Sequence, residues 1–324
     1  MQIGNTELYQ IRSGKINPYQ DRAHIFVKLE SQNPTKSIKD RMVHHIVSKA
    51  KLTAPGETTF VSASSGNTGT SLAYFCKKFN FNCIIVTNTK CSEEKINACK
   101  EYGAKVIVAD SSAAPDSDEH YQNLAINLAA SNENYVDLNQ YGNKQNPESY
   151  FQTLGPEIWE QTEGEVTHFV TGGSTCGTIE GVGKYLKGKK SNLEIILADP
   201  FGSSISDFVV GREVISNLGS YVIEGVGKDS IPKLLNRELV NSVITIKDQE
   251  AIDMCHKLRS YEGLNLGGSS GLNITAAVKL ASKLPKDSKS KIVTIGCDSG
   301  DKYQSKIYNE TWLKNNNFSL INYS

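Results

Sequence analysis

A lysine in a position suited to nucleophilic chemistry lies near the amino end of the 324-residue chain. In residues 33–41, Ser37 can cap a helix and Asp40 follows three residues later, which is the spacing of a capping box. Lys39 then falls in the first helical turn, where the positive end of the helix dipole disfavours the charged form of an amine. The neutral amine is the form that attacks an electrophile. A lysine is most often a solvated surface residue, so it is the position of Lys39 that indicates a reactive amine.

Three further turns follow predicted strands and are rich in hydroxyls, amides and glycines. Residues 62–70 (SASSGNTGT) precede an apolar helix, and backbone N–H groups at such a helix start suit a carboxylate. In residues 172–178 (GGSTCGT), small side chains let successive N–H groups converge on a phosphate. Ser299, in residues 297–301 (CDSGD), would present its hydroxyl at a strand end. Each turn could also be a capped or chain-reversing turn without a ligand.

Nucleotide-binding motifs are the main rivals for the glycine-rich turns. A P-loop requires Gly-x-x-x-x-Gly-Lys-Ser/Thr, and the sequence contains no such spacing. Gly181-Val182-Gly183 and Gly225-Val226-Gly227 begin a dinucleotide pattern, but Leu186 and Ser230 stand where the third glycine is needed. Both nucleotide interpretations fail on spacing.

The elements that must position these turns alternate as short β-branched runs and helical patterns, which is typical of parallel α/β sheets. Predicted strands cover 25–29, 58–62, 83–86, 105–109, 168–171, 194–198 and 291–295. Predicted helices cover 39–51, 68–78, 93–102, 147–160, 178–186, 249–262 and 272–284. Open parallel sheets bind ligands where strands end and helices begin, so the four turns lie where chemistry is expected.

Composition and charge favour a small-molecule partner. The chain has 35 Lys+Arg and 35 Asp+Glu, so no net field attracts nucleic acid or an anionic membrane. No apolar run reaches the ~18 residues of a membrane span, and the amino end does not resemble a signal peptide, so we expect a cytoplasmic protein. The seven cysteines are scattered, which favours reduced thiols, and no histidine or cysteine spacing predicts a metal site.

Taken in chain order, the four turns resemble those of fold-type II pyridoxal-phosphate (PLP) enzymes, namely cysteine synthases and the catalytic core of cystathionine β-synthases. The segment Asn33-Pro34-x-x-Ser37-x-Lys39-Asp40-Arg41 resembles the family's highly specific Schiff-base motif, and the similarity continues from Ile3 to about Leu313. The implied catalytic residue is Lys39, which would carry the cofactor. The implied cofactor-binding residues are Lys39, Asn67, Ser174, Thr175, Cys176, Gly177, Thr178 and Ser299. The implied substrate-binding residues are Ser64, Ser65, Gly66, Asn67, Thr68, Gln140, Gly225, Lys228 and Asp229.

The resemblance also implies a tryptophan synthase β-like fold, with two open parallel-sheet αβα domains and PLP in the cleft between them. We expect a smaller domain over 36–145 and a larger one over 1–35 plus 146–324, in a homodimer. Ser299 at the ring nitrogen, in place of a carboxylate, makes the ring a weaker electron sink. That property suits β-elimination to an aminoacrylate, with Lys39 as the base at Cα, followed by addition of a nucleophile.

Three departures from the family pattern affect this interpretation. Ser174 and Cys176 stand where cysteine synthases more often have glycines, and Glu7 stands where the opening motif usually continues with proline. The run Gly225-Val226-Gly227-Lys228-Asp229 is more similar to a cystathionine β-synthase than to an O-acetylserine enzyme. Lys228 and Asp229 could bind or activate a second substrate, or they could form a solvated turn that caps a helix starting near Ile231.

The predicted function is therefore a cysteine synthase that makes L-cysteine from O-acetyl-L-serine and sulfide. The first alternative is a cystathionine β-synthase-like enzyme or a sulfide-releasing cysteine lyase that uses serine, cysteine or homocysteine. O-phosphoserine as the donor is another, and a non-catalytic paralogue that keeps the fold is the alternative of a different class.

Overall fold

The computed structural model describes residues 2–52, 57–64, 66–89, 91–114, 117–214 and 220–319. These form two compact units, a smaller one over Ser37–Asn146 and a larger one that combines Met1–Lys36 with Pro147–Ser324. The strands are β1 Leu8–Gln10, β2 Ala23–Leu29, β3 Thr59–Ala63, β4 Asn82–Asn88, β5 Lys105–Ala109, β6 Tyr135–Asp137, β7 His168–Gly172, β8 Glu194–Pro200, β9 Ser242–Ile246 and β10 Ser290–Gly296. The helices are α1 Lys39–Ala50, α2 Asn67–Phe79, α3 Glu93–Glu101, α4 Tyr121–Ala130, α5 Gln145–Gln152, α6 Leu154–Gln161, α7 Gly177–Lys189, α8 Ile205–Val210, α9 Asp248–Glu262, α10 Gly268–Lys283 and α11 Glu310–Asn315.

The larger unit is built on a six-stranded sheet in the order β1-β2-β10-β7-β8-β9. The pairs are parallel except at the edge, where β1 runs antiparallel to β2. Residues 292–295 of β10 (IVTI) are all fully buried, as expected for a central strand buried on both faces. Helix α10 packs on this sheet and buries Leu272, Ile274 and Ala277 completely.

The register of this sheet brings three strand ends to one level. Gly296 pairs with Leu29, Thr294 pairs with Val170, and Gly172 pairs with Ala198. The turns that follow β10, β7 and β8 therefore leave the sheet from the same edge, which is the carboxyl edge where ligands bind in this class of fold.

The smaller unit contains a four-stranded parallel sheet in the order β5-β4-β3-β6. Val61, Ile84 and Val86 form its core together with Ala125 of α4. Helices α1 and α2 pack against each other, and α2 begins directly after the turn that leaves β3. The predicted α/β class with parallel sheets is confirmed in both units.

Some elements differ from the sequence prediction. The helix predicted over 147–160 is divided into α5 and α6 at Thr153, because Pro156 has no N–H and its ring excludes a continuous helix through the carbonyl of Gln152. The short strands β1, β6 and β9 and the helices α4, α8 and α11 were not predicted. Among the described residues, none of the helices is long and apolar enough to cross a membrane.

The backbone at Gly181 of α7 lies close to the Pro147 carbonyl of α5, which allows a test of how α7 packs in the larger unit. A Cβ at Gly181 would lie 2.1 Å from the Pro147 carbonyl oxygen, whereas one at Gly188 in the same helix would have nothing within 4 Å. We expect Gly181→Ala to lower the free energy of unfolding by about 1–3 kcal/mol, because a backbone group must move. Gly188→Ala should leave it unchanged or raise it by up to about 1 kcal/mol through helix propensity. Chemical denaturation measures both variants, and equal effects would contradict the packing of α7 on α5.

Candidate active site

Lys39 is the first residue of α1 and is partly exposed. The predicted capping box is wrong. The residue before the helix is Ile38, no side chain caps it, and the buried Ser37 hydroxyl makes no hydrogen bond. Asp40 accepts a hydrogen bond from the Ser71 hydroxyl at 2.7 Å instead of closing the box. The physical reason is that the Asp40 carboxyl is held by Ser71 of α2.

The Asp40–Ser71 hydrogen bond fixes the start of α1 against α2. Both residues are fully buried, so leaving either polar group unsatisfied would cost about 1–3 kcal/mol. Ser71 lies one helical turn after Asn67, the first residue of α2. The turn that carries Lys39 is therefore tied to the helix that begins at the predicted carboxylate turn.

The turn between β3 and α2, which the sequence predicts to bind a carboxylate, is organised by Ser64. Its hydroxyl oxygen accepts hydrogen bonds from the N–H groups of Gly66 at 3.2 Å and Gly69 at 2.9 Å. A Cβ on Gly69 would lie 3.1 Å from the Ile85 side chain, so a glycine lets α2 pack closely on β4. Ser64 thus holds the Gly66 and Gly69 N–H groups, and a carboxylate at this end would meet the other groups at the start of α2 together with the helix dipole.

Gln140 belongs to the same group of residues. Its side chain accepts a hydrogen bond from the Thr68 hydroxyl at 2.8 Å and donates one to the Ala63 carbonyl at 3.0 Å. The Asn146 amide in turn donates to the Gln140 carbonyl at 2.7 Å. The smaller unit thus brings together Ser64, Gly66, Asn67, Thr68 and Gln140, while Ser65 lies outside the described residues.

The predicted phosphate turn lies in the larger unit between β7 and α7. Cys176 adopts the left-handed conformation, with φ of 63°. Thr175 accepts a hydrogen bond from the Gly177 N–H at 3.3 Å, and Thr178 lies in the first turn of α7. A Cβ on Gly173 would lie 2.7 Å from the Cys176 sulfur, so a larger residue there would displace the Cys176 side chain.

Ser299 follows β10 at the carboxyl edge of the same sheet and is buried. Its hydroxyl oxygen accepts a hydrogen bond from the Asp301 N–H at 3.2 Å. A side-chain hydrogen bond from the same Ser299 hydroxyl helps to lower the pKa of the Asp301 carboxyl, after the larger effect of Lys36. The preceding Asp298 is fully buried and accepts a hydrogen bond from the Tyr303 hydroxyl at 2.7 Å.

The turn at 225–229 is joined to the predicted phosphate turn within the larger unit. The Gly227 N–H donates to the Gly173 carbonyl at 2.7 Å, and the Lys228 N–H donates to the Ser203 hydroxyl at 3.1 Å. Burial lowers the pKa of the Lys228 amine, and the Asp229 carboxylate opposes that shift.

The helix near Ile231 that would make this turn a cap does not form in the described segment 220–319. The chain there continues without regular structure until a 3₁₀ turn at Arg237–Leu239. The prediction of a helix-capping role for Lys228 and Asp229 is therefore wrong, and Asp229 is exposed.

Two buried polar residues near these turns were not predicted. Asp199 at the end of β8 is fully buried, and burial raises its pKa to about 6, although hydrogen bonds from Ser203 and Ser206 lower it. Asn273, in the middle of the apolar helix α10, accepts a hydrogen bond from the Gly172 N–H. An asparagine inside an apolar helical pattern is the signal that could have identified the second residue.

Comparison with known proteins places this geometry in a family. Residues 1–298 match the pyridoxal-phosphate dependent enzymes. The chain belongs to this family. Cystathionine beta-synthase of Apis mellifera is 34% identical over 319 residues, an alignment that covers 98% of this chain and 62% of that protein. Cysteine synthase 1 of Emericella nidulans is 34% identical, with 96% of this chain and 84% of that protein covered.

A solved structure supports the same assignment. The O-acetylserine dependent cystathionine beta-synthase of Helicobacter pylori has a TM-score of 0.84 and 32% identity, covering 95% of this chain and 97% of its own. The predicted family, its tryptophan synthase β-like fold and PLP as cofactor are thereby confirmed.

The residues of this PLP enzyme fit the cofactor chemically. A phosphate needs converging N–H and hydroxyl donors at a helix start, which the turn before α7 supplies through Ser174, Thr175 and Thr178. An unprotonated pyridine nitrogen needs a hydrogen-bond donor, and Ser299 supplies a hydroxyl at the carboxyl edge of the sheet, after β10. A Schiff base needs a primary amine, and Lys39 supplies one at the start of α1.

The left-handed conformation of Cys176 leads to a prediction about cofactor affinity. Cys176→Gly should bind PLP within about threefold of wild type, because glycine adopts this conformation without steric cost. Cys176→Val should weaken binding by about tenfold or more, since a β-branched residue cannot keep positive φ and the N–H directions of the turn change. Titration of the apoprotein with PLP measures both. Cys83→Val is the matched control, because it places the same side chain at a buried cysteine in β4. Wild-type affinity in Cys176→Val would contradict the role of this turn.

Proposed function

We propose that this PLP enzyme is a cysteine synthase that converts O-acetyl-L-serine and sulfide to L-cysteine and acetate by β-replacement, as a cytoplasmic homodimer. The observation that carries the proposal is the joined group in the smaller unit. There the Asp40–Ser71 bond ties the Lys39 turn to the helix whose start is organised by Ser64 and Gln140. A reactive amine and a carboxylate-binding turn that are held rigidly together suit a substrate that is an α-amino acid.

The carboxylate of the amino acid would be held at the start of α2. The N–H groups there and the Asn67 side chain offer donors to an anion, aided by the helix dipole, while the Thr68 hydroxyl holds Gln140. The Gln140 amide group is already oriented by Thr68 and Ala63, so it loses little conformational freedom when a substrate binds. Holding the carboxylate fixes where Cα lies.

Lys39 would serve as both the cofactor's anchor and the proton carrier. Bound PLP supplies the electron sink for deprotonation at Cα and departure of the β-substituent. The Lys39 amine takes the proton from Cα and later returns it to the same carbon. Ser299 would donate a hydrogen bond to the ring nitrogen without protonating it, which limits the electron sink and favours loss of the β-group.

A second candidate is supported by the turn at 225–229. Lys228 is half-buried with a lowered pKa, and Asp229 beside it is exposed. These two side chains could bind the charged groups of a second substrate such as an amino-acid thiol. The Apis mellifera relative is a cystathionine beta-synthase. Sulfide, by contrast, is small and nucleophilic as HS⁻, so its addition requires no base from the turn.

A donor panel tests the proposal. Purified holoenzyme is assayed with sulfide plus O-acetylserine, O-phosphoserine or serine, with homocysteine plus serine, and with cysteine alone. We expect the kcat/KM for O-acetylserine plus sulfide to exceed every other combination by about tenfold or more. For serine the reason is that acetate leaves without an acid catalyst whereas hydroxide does not. Lys39→Ala should be inactive with all of them, and Lys39→Arg should not restore activity because a guanidinium does not deprotonate.

The other outcomes identify the alternatives. Preference for homocysteine plus serine, or sulfide release from cysteine as the fastest reaction, would replace the cysteine synthase assignment with the second candidate. Preference for O-phosphoserine would change the donor. No turnover of any combination by a protein with bound PLP would overturn the enzymatic proposal.

A further inference from the structure

Asn273 makes a set of contacts that the sequence comparison does not explain. It lies in α10 and is fully buried. Its side-chain oxygen accepts a hydrogen bond from the Gly172 N–H at 2.6 Å. Its side-chain nitrogen donates to the Ile295 carbonyl at 2.9 Å and also approaches the Cys297 sulfur at 3.4 Å. One carboxamide therefore joins the end of β7 to the end of β10.

The two strands need such a link because their backbone pairing stops early. The β7–β10 ladder ends at Thr294 and Val170, yet each strand continues by two residues, to Gly296 and Gly172. A carboxamide has one acceptor and one donor end, like a peptide group. Asn273 thus takes the place of a ladder connection between strands that have begun to separate. A Cβ on Gly172 would lie 3.1 Å from the Asn273 oxygen, so the glycine allows this approach.

Neighbouring contacts make the same helix a support for both strand ends. Ser270, one turn earlier in α10, accepts a hydrogen bond from the Cys297 N–H at 2.9 Å. The Gly267 N–H, just before α10, donates to the Asp298 carbonyl at 3.1 Å. The first turns of α10 therefore set where the chain to Ser299 leaves the sheet, and Asn273 relates that point to the turn at 172–178.

We propose that Asn273 is a positioning residue that fixes the spacing between the turn at 172–178 and the strand end that carries Ser299, and so sets how tightly PLP is held. The inference rests on the proposed roles of these two segments in binding the PLP phosphate and the pyridine nitrogen. In PLP the phosphate and the ring nitrogen are separated by a rigid ring and a short linker. One segment binds the phosphate and the other binds the ring nitrogen, so the distance between the two segments must stay constant. A hydrogen bond that links the segments therefore affects PLP affinity more than a hydrogen bond within either segment.

Asn17 is a matched control within the same unit. It is also a fully buried asparagine, donating to the Ala23 carbonyl at 2.9 Å and accepting from the Tyr19 N–H at 3.1 Å. Ala23 begins β2 and pairs with Ser290, the first residue of β10, so these contacts are at the amino edge of the sheet. Asn17→Ala removes a comparable pair of hydrogen bonds without touching the carboxyl edge.

The experiment compares Asn273→Ala and Asn17→Ala by titrating each apoprotein with PLP and by recording the ³¹P NMR signal of the bound phosphate. We expect the PLP dissociation constant to rise about tenfold or more in Asn273→Ala, the equivalent of one to two hydrogen bonds, and to change less than about threefold in Asn17→Ala. The ³¹P signal should shift or broaden only in Asn273→Ala. If that variant does not fold, Asn273→Ser, which keeps a polar group in the space, is measured in its place with the same expectation.

Equal weakening of PLP binding in the Asn273 and Asn17 variants would overturn the inference, because it would reflect only lost stability. An unchanged dissociation constant and an unchanged ³¹P signal in the Asn273 variant would overturn it as well. Neither readout needs turnover, so a failed donor panel with a positive result here would reject the proposed reaction and leave the positioning role of Asn273 standing.

Discussion

In the larger sheet the parallel strands β7, β8 and β10 end at the same level, and the rest of the site depends on this constraint. Because Gly172 pairs with Ala198 and Thr294 pairs with Val170, the turns after β7, β8 and β10 leave from one edge. At that edge the chain places residues that would be unsuitable inside a strand, including a left-handed Cys176 and the buried Asp298. Beyond the last backbone pair, side chains provide the hydrogen bonds between strand ends. Asn273 does so most directly, because it bonds to Gly172 of β7 and to Ile295 of β10.

The smaller unit solves a similar problem with different contacts. Its parallel strands deliver Ser64 and Gln140 to the same end of the sheet, where Ser64 accepts from the Gly69 N–H of α2 and Gln140 donates to the Ala63 carbonyl. The Asp40–Ser71 hydrogen bond adds α1, and with it Lys39, to the same assembly. These bonds are buried, so breaking one leaves an unsatisfied polar group and costs more than the bond itself contributes.

Much of the fold was predictable because long apolar and amphipathic segments carry a strong periodic signal. Strands such as β4 and β10 and helices such as α2 and α9 follow it directly. The short strands β6 and β9 were not predicted, since three to five residues with mixed burial give no clear alternation. The helix break at Thr153 could have been read from Pro156, but the amphipathic pattern on both sides concealed it.

The candidate site was predicted mainly through resemblance, and its errors have local causes. The capping box at Ser37 and Asp40 matched the spacing rule, but Asp40 is used by a residue 31 positions away, which no local pattern reveals. The role of Asn273 depends on two strands that are 101 and 22 residues distant in sequence, so only the folded chain shows it. The turn at 225–229 is joined to Gly173 by a backbone bond, a contact that side-chain types do not predict.

The identity of the lysine that bonds PLP is the claim on which the proposed chemistry rests most directly. Lys36, three residues earlier, is an exposed lysine paired with Asp301, which makes it the natural comparison in the same segment. The holoenzyme is reduced with borohydride, digested with trypsin and analysed by mass spectrometry. Since trypsin does not cleave after a modified lysine, we predict a peptide covering residues 37–41 that carries the reduced pyridoxyl group on Lys39. The group on Lys36 or on any other lysine, or a holoenzyme without a reducible adduct, would contradict the account.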